Sequence, residues 1–238
     1  MPKAPQRSTK AARAVGPVKD SSKTKDPKAS HLYTDDNPAT TIHGTGFKDE
    51  AAALRTLDLI RQRSLTYQFQ TVNTMFHRAK HHPAMKKAAE GSGSTGNMRA
   101  AMDVFQTWLE ETYPAEKETL RVGGGFKPLL SKKCMGRYIS LIEDSADVSD
   151  DGKIFARTYV RLPKGKRLGN VLVDDTKPAE PDWERKRYQV LDGLVPEGEE
   201  SEPNWKSSAL WTGDSKPSPR HLELIAWAWS PVKESKLP

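Results

Sequence analysis

An α+β fold is predicted for this chain of 238 residues, on three observations. Residues 65–82 carry apolar side chains at helical spacing, residues 154–162 alternate in the manner of a half-buried strand, and residues 1–40 hold almost nothing to bury. The expected organisation is a disordered basic tail over 1–40, a helical module over 41–115, and a mixed, strand-bearing, Trp-rich region over 116–238. An acidic linker is expected near 196–204. Leu, Ile, Val and Phe make up 43 of the 238 residues, too few for the whole chain to be globular.

The tail is set apart by charge. Residues 1–30 hold eight cations against Asp20 and Asp26, a net +6 of the chain's +7, so the body has no overall reason to seek polyanions. The first 19 residues lack acids, as mitochondrial transit peptides do, but Pro2, Pro5 and Pro17 make them a poor amphipathic helix. A nuclear address is therefore preferred, with cytoplasmic and mitochondrial ones as alternatives. Cys134 is the single cysteine, which excludes an intramolecular disulfide and fits a reducing compartment. Neither a secretory signal nor a run of about 18 apolar residues is found, so no membrane partner is expected.

The helical module is built from three amphipathic stretches. After Gly44-Thr-Gly46, residues 48–63 read as a helix with Leu54, Leu57 and Ile60 on one stripe, Asp49 and Glu50 in the first turn, and Arg61 and Arg63 in the last. Ser64 is the expected N-cap of the next helix. There Leu65, Phe69, Val72, Phe76 and Ala79 form the core stripe, and Tyr67, Thr71, Thr74, Arg78 and His81 the opposite face. This helix should end near His82, ahead of Pro83, with a short helical turn over 84–90 and a flexible Gly/Ser loop over 91–96. Asn97 should cap a third helix, lined by Met98, Ala101, Met102, Phe105, Trp108 and Leu109 and closed by Pro114.

Beyond Pro114 the texture changes. Residues 122–125 read as a hinge, 138–142 and 154–162 as strands, 171–173 as a third short strand, 181–194 as a helix, and 208–212 and 222–229 as two further strands. Five of the six Trp lie at or beyond Trp183.

No motif assembles a catalytic site. His77, His81 and His82 lack a third ligand of the right kind and the glutamate of a zinc peptidase, so they are read as a polar face, with no metal and no cofactor expected. Gly44-Thr-Gly46 and Gly123–Gly125 with Lys127 are incomplete as phosphate loops. Cys134 has cationic neighbours in Lys132, Lys133 and Arg137 but no base assigned to it, and no nucleophile elbow is present.

The expected function is non-enzymatic: a nucleic-acid-associated or regulatory protein of the nucleus. It would bind through Lys10 and Arg13 of the tail and through Tyr67, Thr71, Thr74, Arg78 and His81 of the second helix. The alternative is a protein-interaction adaptor presenting Trp211, Trp227 and Trp229 to a partner. A small enzyme of a type these motifs do not reveal stands third.

Overall fold

A computed structural model describes residues 42–89, 95–121, 125–213 and 216–238, all within the unit Ala39–Pro238. The expected tail, Lys10 and Arg13 included, lies outside the described residues. So do most of the Gly/Ser loop and three residues of the expected hinge.

The N-terminal lobe forms where the apolar stripes predict it, with one correction: in the first stripe Leu54 is 52% exposed, and the first helix buries Ala52, Ala53 and Thr56 beside Ile60. Helix α1 (Glu50–Ile60) starts at Asp49, whose Oδ1 accepts from the Ala52 amide at 2.8 Å. Helix α2 (Leu65–Lys80) starts at Ser64, whose Oγ accepts from the Tyr67 amide at 3.3 Å. These bonds satisfy amides that have no partner within the helix. A short α3 (Pro83–Ala89) follows, and α4 (Gly96–Thr107) begins at Thr95 rather than at Asn97. Ile60, Val72, Ala101, Phe105 and Trp108 close the core, with Leu65, Phe69 and Phe76 packed at its margin. Pro114 does not end the chain's helical course. The backbone widens into a π turn at Trp108–Thr112 and continues as α5 (Tyr113–Thr119), with the proline in the first turn after the widening.

The C-terminal lobe corrects the fold class. The described residues are mostly helical, at 63% helix and 2% strand with no sheet, so α+β is not supported. Residues 138–142 lie in α6 (Lys132–Asp144), 154–162 almost wholly in α7 (Asp150–Arg161), and 222–229 mainly in α10 (Pro219–Ala226). Each helix opens on a serine whose hydroxyl accepts an amide three residues on: Ser131 from Cys134, Ser149 from Gly152 and Ser218 from His221, each at 3.1 Å. The residues these helices bury recur at helical spacing, as with Cys134, Tyr138 and Ile142, or Gly152, Phe155 and Ala156. The alternation seen over 154–162 is thus incidental to a stripe of period 3.6. The remaining strands reduce to isolated bridges: Leu172 pairs with Asp182, and Trp211 with Pro217 beyond the short α9 (Ser207–Leu210).

Aromatic rings fill this second core. Phe155 stacks on Trp227 at 5.0 Å and meets Trp183 edge-on at 5.9 Å, while Phe126 meets Trp229 edge-on at 5.5 Å. Trp183 opens α8 (Trp183–Leu194), the one helix predicted in this half. The 196–204 stretch, expected as a linker, is tied to the body. Glu200 accepts from Arg121 at 2.6 Å, and Glu202 pairs with Lys236 at 2.8 Å. The Arg121 bond holds the Glu200 carboxyl below its ordinary value.

Phe105→Ala is expected to destabilise the protein by about 3 to 5 kcal/mol in chemical denaturation, and Phe76→Ala by less because its ring is only partly covered. A pH effect follows from His221, which is fully buried. Its Nδ1 lies 3.0 Å from the Leu210 carbonyl and its Nε2 2.8 Å from Ser230 Oγ. The carbonyl can only accept, so Nδ1 carries the proton and Nε2 accepts from the serine. Burial pushes the ring's pKa below its ordinary 6.5. The unfolded chain therefore binds the proton more readily. The stabilisation is complete above pH 6.5 and is lost as pH falls below it, by up to about 1.4 kcal/mol per pH unit. Stability measured from pH 7 downward should show that slope, and His221→Gln should flatten it.

Candidate functional site

The two lobes meet at a carboxylate. Asp182 is fully buried, and its Oδ1 caps α8 by accepting from the Arg185 amide at 2.9 Å. Its Oδ2 accepts from Arg63 Nε at 3.1 Å and from the Ser64 amide at 2.9 Å, so one side chain fixes the starts of α2 and α8 together. Arg63 Nη1 and Nη2 donate to the Pro178 and Gly169 carbonyls, at 2.9 and 2.8 Å, and the guanidinium lies 3.7 Å from the centroid of the Tyr67 ring. Gly169 is required by the close approach. A Cβ there would stand 2.8 Å from Ser64 Oγ and 3.0 Å from Glu184 Oε2.

Beside this junction opens a cleft of about 750 Å³. Its walls carry Lys127, Lys132, Lys164, Lys166, Arg167 and Arg187, and Glu184 is the one carboxylate among them. The loop after α7 supplies the middle of this set. The Lys166 amide donates to the Pro163 carbonyl at 3.1 Å across a turn whose third residue, Gly165, has φ +86°. A positive φ at that place is what a type II turn demands of a glycine, and the turn leaves Lys164, Lys166 and Arg167 exposed. Lys132, the first residue of α6, donates to the Leu162 carbonyl. Tyr159 donates to the Leu130 carbonyl at 3.0 Å, and burial pushes its phenol pKa up, so it is a neutral wall. Glu184 accepts from Thr66 Oγ1 at 2.9 Å and has Lys127 Nζ at 3.6 Å.

Arg187 forms the base of the cleft. It is 2% exposed, and its guanidinium donates to four carbonyls: Trp227 at 2.7 Å, Gly125 at 3.1 Å, Phe126 at 2.8 Å and Ala228 at 3.3 Å. No carboxylate among the described residues bonds it. Desolvation lowers its pKa to about 10, which leaves it protonated at neutral pH.

The α2 residues expected to bind nucleic acid lie along that helix and outside the cleft. Tyr67 serves the junction beneath Arg63. Thr71, Thr74, Arg78 and His81 lie further along α2, Thr74 and His81 exposed, and the ring of His81 stacks on His77 at 6.2 Å. Helix α2 gives the cleft only Thr66. The exposed aromatic surface is corrected for two of its three members. Trp227 and Trp229 are 0% and 3% exposed, consumed by the core, and Trp211 is half-buried, edge-on to His221 at 5.0 Å. Among the described residues no group of His, Cys, Asp and Glu is arranged to hold a metal ion. The Gly46 amide donates to Thr56 Oγ1 at 2.8 Å, so that loop directs a donor inward. Cys134 is buried, with Arg137 Nη2 3.5 Å from its sulfur. No described helix is long and apolar enough to cross a membrane.

One signal in the sequence points at the cleft. Residues 152–173 contain Lys153, Arg157, Arg161, Lys164, Lys166 and Arg167 and no acid, a local excess hidden by averaging charge over the body.

Asp182→Ala removes a helix cap and strands a buried guanidinium, and should cost about 3 to 5 kcal/mol. Gly169→Ala should destabilise as well, and the double variant should fall short of the sum because both changes disrupt one junction. Urea denaturation of the three variants checks this. Comparison of the chain with protein families, with curated proteins and with solved structures finds no match, so the cleft's own chemistry carries the functional reading.

Proposed function

We propose that this protein binds nucleic acid without catalysis and grips the phosphate backbone in the basic cleft between its lobes. The observation that carries the reading is the convergence of six cationic side chains from separate parts of the chain on a wall with one carboxylate. Cations placed this way take up phosphates and release the counterions condensed on them, which supplies affinity without reading sequence. The six cations outnumber the single carboxylate of Glu184, and the carbonyls that bind Arg187 leave its charge in place, so the local charge is positive. In this reading the eight cations of residues 1–30 add long-range attraction, and a nuclear address goes with the same ligand.

Fluorescence anisotropy of labelled oligonucleotides over a salt series tests the proposal. The triple variant Lys164→Ala, Lys166→Ala, Arg167→Ala should weaken binding and reduce the slope of log affinity against log salt by about 2 to 3. Deleting residues 1–30 should flatten the slope separately and leave a residual affinity that the triple change removes. Arg78→Ala should leave binding unchanged, and a loss there would move the contact surface to α2. Absence of affinity at low salt, or a triple variant indistinguishable from the parent protein, would refute the proposal.

A further inference from the structure

Resting on the reading of the cleft as a nucleic-acid site, we propose that its ligand is single-stranded, with one base seated in a second, smaller cavity that opens beside the cleft. That cavity measures about 100 Å³. A lone water needs about 10 to 15 Å³, so the space suits a planar ring. Thr66, Gly125, Lys127 and Glu184 line both cavities, which places the smaller one where a strand held on the cleft's cations would turn its bases.

The lining has two chemical characters. Tyr113 and Leu120 reach it from the end of the N-terminal lobe and Tyr188 from α8, so ring and apolar surface face it from both lobes. Tyr188 is held in place by the chain opposite: a Cβ on Gly125 would lie 3.1 Å from its ring, and Phe126 packs on it at 5.8 Å. The polar character comes from Arg185 and Glu184. Arg185 Nε is buried and has no acceptor among the described residues, while the neighbouring Glu184 carboxylate accepts from Thr66. A buried donor of this kind is rare in folded proteins, and the guanidinium that carries it lines the cavity, where its other nitrogens can meet an acceptor.

A nucleobase meets each requirement at once. It has a π face for tyrosine and, in its plane, carbonyl or ring-nitrogen acceptors beside N–H donors, which complement a guanidinium donor next to a carboxylate. In a duplex those edges are paired and the faces stacked on neighbours, so only an unpaired base can enter. A free mononucleotide carries the same base, but the cleft spreads Lys132, Lys164, Lys166 and Arg167 over far more room than one phosphate needs. A strand uses all of them.

The full chain should be titrated, at one salt concentration, with a labelled single-stranded 15-mer of deoxythymidine, a hairpin duplex of equal charge, and free thymidine monophosphate. The single strand is expected to bind about tenfold tighter than the hairpin. A 2-aminopurine placed within the strand should lose fluorescence on binding as its ring stacks. Arg185→Met and Tyr188→Leu should each weaken single-strand binding by about tenfold, leave hairpin binding unchanged, and keep the salt slope, because they touch the base and no phosphate. Should Tyr188→Leu melt early, Arg185→Met and the 2-aminopurine signal still decide. Equal affinity for strand and hairpin, lost in the Lys164, Lys166, Arg167 variant, would overturn the base pocket and leave the cleft reading standing. No binding of either would overturn the cleft reading itself. Thymidine monophosphate binding as tightly as the 15-mer would make this a mononucleotide site and overturn the single-strand proposal.

Discussion

The arrangement of the two lobes depends on the carboxylate of Asp182. Its two oxygens meet three donors from distant parts of the chain: the cap amide of α8, the amide of Ser64 and the guanidinium of Arg63. A buried ion pair is a poor source of net stability, because desolvating both charges offsets most of their attraction. What it supplies is geometry. Neither Arg63 nor Asp182 can be satisfied in another register, so α2 and α8 begin at one fixed distance and the lobes cannot slide without stranding both charges.

The cleft is a consequence of that fixed point. Gly169 passes between Ser64 and Glu184 because the junction draws them together, and this sets where the loop after α7 returns to the body. The loop therefore holds its cations opposite Lys127 and the start of α6. Like charges gathered this way repel one another, and a freely moving loop would splay. Here the Gly165 turn and the Lys132 bond to the Leu162 carbonyl hold them in place, so the repulsion is carried by the fold.

Much of the N-terminal lobe was legible in sequence, because its helices announce themselves twice, in a stripe of period 3.6 and in a capping residue at the start, as at Asp49 and Ser64. In the C-terminal half the caps are equally present at Ser131, Ser149 and Ser218, but alternation over 154–162 competes with them. Ile154, Ala156, Thr158 and Val160 do alternate with polar or larger neighbours, while the residues buried against the core are Gly152, Phe155 and Ala156. A cap is the better discriminator here, since a strand has no use for one. The site was harder to see. Its charge is visible over 152–173, but Arg63 and Asp182 stand 119 residues apart, and no local pattern brings them together. Trp227 and Trp229 read equally as surface or core in sequence, because aromatic richness alone does not say whether the chain leaving a helix turns its rings inward, as it does here beyond Ala226.

Two buried guanidiniums show how the fold separates stability from binding. Arg63 is matched by the carboxylate of Asp182, so its charge is cancelled where it sits and leaves little field beyond the junction. Arg187 is matched by carbonyl oxygens alone. Carbonyls satisfy its donors and knit together Gly125, Phe126 and Ala228, the last two of which hold positive φ of 57° and 53° against the usual preference of side-chain-bearing residues. They carry no net charge, however, so the cation remains at the base of the cleft, in surroundings of low dielectric where its field is weakly screened. The lowering of its pKa to about 10 records the cost of keeping it there. A fold concerned with stability alone would be served as well by a carboxylate partner, as it is at Arg63. Without one, Arg187 keeps its positive charge beneath the floor of the cleft, offset only at a distance by Glu184.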